Sequence, residues 1–326
     1  MNSINNSTKI DVHGEVVAAE SRIREHIRET PAEFSPVLSK AGECQVYLKL
    51  ECFQKTGSFK FRGATNKFLS LTPAERASEI ITASSGNHGA AFASIMQEFD
   101  GKGIIYLPQN ASPAKVEVLR QFGVQLEFFG DDCVMSETLA LKTAKERNLV
   151  FVSPYNDLQI IGGQGTIAIE LERQIVGMDA VFVPIGGGGL VAGIAGYLKE
   201  VKPNIDIIGC QPAASPVMYE SVQAGKIIEM ESLPTMADGT AGGIEPDSIT
   251  FDICRQTVDD YILVSEEDIK AAIRLMLEHH QILVEGAAAL SVAAFLKRKS
   301  SLKNKNVVLI ISGKKISLEK LREVLF

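Results

Sequence analysis

The chain has 326 residues, 45% of them hydrophobic and 22% charged, with a formal net charge of −7. That composition belongs to a globular protein with a substantial core, and at ~150 residues per domain the prior is two domains, although one large α/β unit with an insertion also fits. The acidic balance and the lack of any Lys/Arg run argue against nucleic acid as a partner. Five cysteines (Cys44, Cys52, Cys133, Cys210 and Cys254) are scattered without a C-x-x-C. Neither a disulfide framework nor a zinc site is indicated, and buried free thiols in a reducing cytoplasm are expected.

The N-terminal MNSINNSTKIDVHGE is polar and lacks the apolar stretch of a signal peptide. Short runs rich in Val and Ile then predict strands at 46–50, 79–83, 103–107, 124–129, 149–152, 180–185, 205–209, 260–264 and 306–311. Helical patterns lie between most of them. In 112–123, Ser112 is read as the cap, Pro113 as the first helical residue and Gly123 as the stop. In 265–280 a capping-box pattern opens a helix with Ile269, Ile273 and Met276 on one face. The stretch 176–198 imitates a membrane span, but Asp179, Pro184 and four consecutive glycines make it a strand, a loop and a helix. Strands alternating with helices imply an α/β fold of parallel sheets flanked by helices, and the unbroken apolar runs 180–185 and 306–311 suit strands buried on both faces. In such sheets ligands sit at the carboxyl ends of the strands.

Three segments at those junctions carry chemistry. Ser84-Ser85-Gly86-Asn87-His88-Gly89 follows a strand and opens a helix, so its backbone N–H groups form an anion pocket, unless Ser85 or Asn87 merely caps the first turn. Gly186 to Gly189 let a phosphate approach the backbone with no Cβ in the way. Gly187-x-Gly189-x-x-Ala192 also fits a dinucleotide fingerprint, but the next strand ends in Gln211 where that fingerprint wants an acid. Lys60 lies at a helix start between Phe59 and Phe61. A lysine is ordinarily solvated. Here both the helix dipole and desolvation disfavour the ammonium, which suits a nucleophilic amine of the Schiff-base kind.

Lys60 within SFKFRGA, then SSGNHG, then GGGGL, in that order and spacing, resembles the pyridoxal-phosphate enzymes of the tryptophan-synthase-β fold type (fold type II), most of all the serine/threonine dehydratase and serine racemase branch. The similarity runs from about Arg28 to the C-terminus. It implies two domains of twisted, largely parallel sheet with pyridoxal 5'-phosphate in the cleft between them: a large one from 1–72 and 155–326, and a small mobile one from 73–154. By the same resemblance Lys60 carries the cofactor as a Schiff base, Phe59 packs on its ring, Asn87 meets the ring hydroxyl, and Gly186, Gly187, Gly188 and Gly189 hold the phosphate. Glu285 and Ser312 lie at the cofactor, Ser312 facing the ring nitrogen, where a hydroxyl serves an unprotonated pyridine better than a pyridinium. Ser84, Ser85, Gly86, Asn87, His88 and Asn156 are implied for the substrate, with Lys60 taking the α-proton and Ser85 in the place where racemases hold a second base.

The implied activity is dehydration and deamination of a β-hydroxy amino acid such as L-threonine or L-serine to a 2-oxo acid and ammonia. Serine racemisation, or action on 3-hydroxyaspartate or another β-hydroxy amino acid, stays open. So do β-replacement, which in this fold type goes with a Thr-Ser-Gly-Asn-Thr loop, a non-catalytic cofactor-binding protein, and the nicotinamide reading. The chain departs from the family pattern at Lys314-Lys315, where Gly-Asn is usual, and at Gln211, where many relatives place an acidic cation ligand, so no metal is expected there. With only residues 313–326 after Ser312, a C-terminal regulatory domain is expected to be absent. The loop 235–247 is expected to set side-chain preference. Partners are a small amino-acid substrate and further copies of the chain, as a homodimer or homotetramer, with no membrane.

Overall fold

The computed structural model describes residues 10–326; most of the polar leader read above lies outside the described residues. The chain begins α1 (Val12–Ile23), β1 (Ala32–Phe34), α2 (Pro36–Gly42), β2 (Gln45–Lys49) and α3 (Lys60–Ser70). It continues α4 (Pro73–Ala77), β3 (Glu79–Ala83), α5 (Asn87–Glu98), β4 (Lys102–Leu107), α6 (Pro113–Arg120), β5 (Gln125–Phe128), α7 (Cys133–Glu146) and β6 (Val150–Phe151). Then come α8 (Leu158–Gln174), β7 (Ala180–Pro184), α9 (Gly189–Val201), β8 (Asp206–Pro212), α10 (Val217–Ala224) and α11 (Ile249–Thr257). The last elements are β9 (Asp260–Val264), α12 (Glu266–His280), α13 (Gly286–Arg298), β10 (Asn306–Ile310) and α14 (Leu318–Leu325).

All nine expected strands form, in two sheets ordered β1-β2-β10-β7-β8-β9 and β5-β4-β3-β6. Every pairing is parallel except that of β1 with β2. β1 is the one strand that pattern did not reveal: three residues, Ala-Glu-Phe, are too few to show a period. Ser112 occupies the expected cap position of α6, but its side chain takes no hydrogen bond from the helix, so that start rests on Pro113. Ser265 does cap α12, accepting from Asp268 N–H at 3.2 Å, and Ile269, Ile273 and Met276 are buried.

Strand periodicity divides the cores. Phe182, Val307 and Leu309 face α12 and α13 on one side of the larger sheet. Val181, Val183, Val308 and Ile310 face α1, α8 and α9 on the other. The smaller sheet does the same, Ile80, Ile105 and Leu107 packing with α3, α5 and α6, and Ile81, Ile104 and Tyr106 with α7. Because the strands are parallel, the carboxyl ends of β2, β10 and β7 lie on one edge, leading to Lys60, Ser312 and Gly186 respectively. In the smaller sheet β3 and β6 end before Ser84 and Ser153.

Helices α3 and α8 cross with their backbones in contact. A Cβ on Gly163 would stand 2.6 Å from Gly63 Cα and 2.7 Å from Arg62 O. Gly163→Ala would gain ~1 kcal/mol of helix propensity, yet the collision is with backbone, which cannot rotate away. We expect a net loss of about 1–3 kcal/mol, read by urea unfolding; a variant as stable as the parent would contradict this contact.

Candidate active site

The segment before α3 is stitched to the one after β10. Phe59 N–H donates to Ser312 O at 3.1 Å and Lys314 N–H to Gly57 O at 3.1 Å, around a bridge between Ser58 and Gly313. Thr56 (φ 60°) and Gly57 (φ 80°) make the reversal that this pairing requires. Lys60 is thereby the first residue of α3. Its Nζ donates to Pro154 O at 2.7 Å and stands 5.2 Å from the centre of the Phe59 ring. Burial pushes this amine down to about 8, against the opposing pull of Glu285.

Glu285 precedes α13 and is buried. Its two oxygens accept from Asn87 Nδ2 at 2.9 Å each, and Oε2 also accepts from Lys315 N–H at 3.1 Å. Burial outweighs these donors and raises the carboxyl to about 7. Asn87, the first residue of α5, spends its amide nitrogen on Glu285 and leaves its buried Oδ1 without a partner. The Ser58 hydroxyl is likewise buried and unpaired. Ser312 is buried beside them. Lys314 and Lys315 are exposed, and Lys314 Nζ lies 5.5 Å from the centre of the Phe53 ring.

In the loop after β3, Ser84 Oγ accepts from Gly86 N–H at 3.2 Å, and Ser85 is partly buried. The His88 ring turns inward: Nε2 lies 3.0 Å from Thr82 Oγ1 and 3.2 Å from Val152 O. Thr82 gives its own proton to Val152 O at 2.7 Å, so Nε2 carries the imidazole hydrogen. Burial, then Lys60, push His88 down to about 3, and the ring is neutral at ordinary pH.

Gly186 to Gly189 run from β7 into α9, with Gly188 left-handed at φ 89°. A Cβ on Gly187 would lie 2.5 Å from the Tyr155 ring, and one on Gly186 would lie 2.9 Å from Thr240 Cα. Thr250 Oγ1 donates to Gly187 O at 2.6 Å. Among the described residues, the amides of these four glycines donate no hydrogen bond. Asn156, expected at the substrate, has its amide engaged: Nδ2 donates to Glu245 Oε2 at 2.7 Å and Oδ1 accepts from Ile249 N–H at 2.9 Å. Gln211 Oε1 accepts from Tyr219 N–H at 2.8 Å at the start of α10.

The sequence reading passed over four groups. Pro154 O takes the Lys60 amine, Tyr155 and Thr240 wall the glycine turn, and Glu137 on α7 faces Glu245. In Ser153–Asn156 the resemblance points to Asn156 alone, and the adjacent Pro154 and Tyr155 are the available signal. Glu245 is held by Asn156 and by Ser153 Oγ at 3.3 Å, whereas Glu137 Oε1 is buried and unpaired. Burial and the Glu245 charge raise Glu137 to about 7.

A family model described as "Pyridoxal-phosphate dependent enzyme" matches residues 23–313. The L-threonine ammonia-lyase of Thermotoga maritima is 35% identical over 311 residues, covering 95% of this chain and 77% of that protein. The processed form of threonine deaminase isoform 2 from Solanum lycopersicum superposes with a TM-score of 0.92 at 31% identity, over 96% of this chain and 92% of that one. Serine racemase from Dictyostelium discoideum gives 0.87 at 32% identity, over 94% and 98%. The residues present fit that cofactor. Four free amides at the start of α9 suit a phosphate, a low-pKa amine suits an aldehyde, and the unpaired Asn87 Oδ1 and Ser58 Oγ await hydrogen-bond partners.

Glu137 also yields a pH test. Its carboxyl is raised from 4.5 to about 7 in the fold, so ionisation weakens the folded state as pH rises through that window. Glu137→Gln should match the parent in urea unfolding at pH 4.5 and exceed it at pH 8; the same difference at both values would count against the carboxylate pair.

Proposed function

The chain belongs to the pyridoxal-phosphate dependent enzyme family, and on that premise we propose that it converts a β-hydroxy amino acid, L-threonine or L-serine, to a 2-oxo acid and ammonia. The observation that carries the reading is the Lys60 amine, its pKa lowered by burial at the start of α3, together with a turn of unpartnered glycine amides ahead of α9.

When bound, pyridoxal phosphate supplies an electron sink for the charge left at the substrate's α-carbon. Lys60 would hold its aldehyde carbon, the amides of Gly186 to Gly189 its phosphate, and Phe59, Asn87, Glu285 and Ser312 would surround its ring. Lys60 Nζ would also serve as the base that takes the substrate's α-proton. A pKa of about 8 keeps a useful fraction of the amine unprotonated near neutral pH. Pro154 O gives that nitrogen a fixed acceptor, so its lone pair is aimed rather than free to swing. The loop Ser84–His88 receives the substrate carboxylate at the start of α5, where backbone N–H groups and the helix dipole favour an anion. Glu285, accepting from Asn87 Nδ2 and Lys315 N–H, fixes the Asn87 side chain with its Oδ1 free, where it would meet the cofactor.

The same reading places the protein in a reducing cytoplasm as a homodimer or homotetramer. All five cysteines are unpaired, four of them buried, and no helix among the described residues is long and apolar enough to cross a membrane. A small mobile domain at 73–154, against a large one at 1–72 and 155–326, is supported by the residues that build each sheet. A second reading, racemisation, draws on Ser85 in its loop and on the likeness to a serine racemase.

Purified protein should be yellow and should form 2-oxobutyrate from L-threonine or pyruvate from L-serine. Lys60→Ala should fold and lose at least about 10³-fold in turnover; an active Lys60→Ala would overturn the assignment. Chiral analysis of residual serine divides elimination from racemisation.

A further inference from the structure

Two residues after Lys60, Arg62 lies in a cluster of charges with no solvent exposure: Lys49, Glu51, Arg62 and Glu170 are each 0% exposed. The guanidinium is bidentate twice. Nε and Nη2 donate to Glu51 at 2.8 and 2.7 Å, and Nη1 and Nη2 donate to Glu170 at 2.7 and 2.8 Å. Glu170 Oε2 also accepts from Lys49 Nζ at 2.5 Å, and Oε1 from Arg24 Nη2 at 2.7 Å. Lys49 ends β2, Glu51 opens the short turn after it, Arg62 is in the first turn of α3, and Glu170 is on α8.

Stability does not account for such a cluster. Desolvating these charges costs about as much as their attraction returns, and apolar side chains of similar volume commonly do as well or better. What the cluster does set is direction. The Gly63–Gly163 contact lets α3 and α8 touch, and farther from Lys60 the pair is pinned by Gly63 N–H on Gln164 Oε1 at 3.2 Å and Asn66 Nδ2 on Gln159 O at 2.6 Å, which leaves the first turn of α3 to Arg62. A guanidinium fork gripped by two carboxylates tolerates neither sliding nor rotation. The segment leading into α8 contains Pro154, whose carbonyl receives the Lys60 amine at 2.7 Å. The register of α3 on α8 therefore decides where that amine sits.

We propose that Arg62, clamped by Glu51 and Glu170, is a positioning residue for Lys60, holding the first turn of α3 at the register on α8 that places Nζ against Pro154 O. The proposal rests on the reading of Lys60 as the cofactor-bearing amine.

The test uses the full-length chain, pyridoxal 5'-phosphate and borohydride, with peptide mapping to follow trapping at Lys60 across a pH series. The variants are Glu170→Gln, Arg62→Lys, and a combined Lys49→Met, Glu51→Leu, Arg62→Met, Glu170→Leu chain, each first checked for cooperative unfolding. The combined variant should melt at or above the parent's temperature. Its trapping at pH 7 should slow by about tenfold or more, with the midpoint moved toward that of an ordinary lysine, since each pKa unit is tenfold in neutral amine. Arg62→Lys keeps the charge but loses the fork, and should shift the same way by less. Folded variants that trap at the parental rate and midpoint would overturn the proposal. Loss of folding in all three would also overturn it, by making the cluster a stability element. Failure of the parent itself to label Lys60 would instead sink the reading on which the proposal rests.

Discussion

The ammonium form of Lys60 is disfavoured chiefly by desolvation, and its place in the first turn of α3, at the positive end of the helix dipole, works in the same direction. Glu285 would be the natural counter-ion, yet its own burial raises it to about 7, so near neutral pH it offers only a partial charge. The two groups thus feel each other's charge without forming a firm ion pair. A strong pair would have locked the amine in its protonated state. Asn87 contributes to that balance by occupying both carboxyl oxygens with its amide nitrogen while leaving Oδ1 free.

The fold brings this about through strand direction and close helix packing. Parallel pairing puts the ends of β2, β10 and β7 on one edge, and the Ser58–Gly313 bridge ties the start of α3 to the segment after β10. Gly313 is required by its neighbour, since a Cβ there would lie 2.5 Å from Glu285 Oε1. Gly187 is required by Tyr155 in the same way. Glycines in this site make room for protein as much as for a ligand.

Much of this was legible in the residues. The nine strands were readable because Val and Ile cluster in runs of four to six, and Lys60 because aromatic neighbours flank a charge at a helix start. The glycine turn was readable because four glycines in a row serve little else. β1 was not, being too short to carry a period. Nor were the meetings of Glu137 with Glu245, of Tyr155 with Gly187, or of Arg62 with Glu170, because each depends on how distant elements register in space. Arg62 could be seen only as part of a motif, and Lys314 and Lys315 looked ambiguous until the chain placed them at the surface. Ser112 shows the converse: good cap chemistry in the right place, left unused by the local backbone.

The central claim is that its surroundings lower the pKa of one lysine before any chemistry begins. The most direct measurement follows the ε-carbon of Lys60 by nuclear magnetic resonance in cofactor-free protein labelled at lysine, assigned by comparison with Lys60→Arg and titrated from pH 6 upward. A midpoint near 8 is the outcome expected here. A midpoint at the ordinary lysine value of about 10.4 would contradict it.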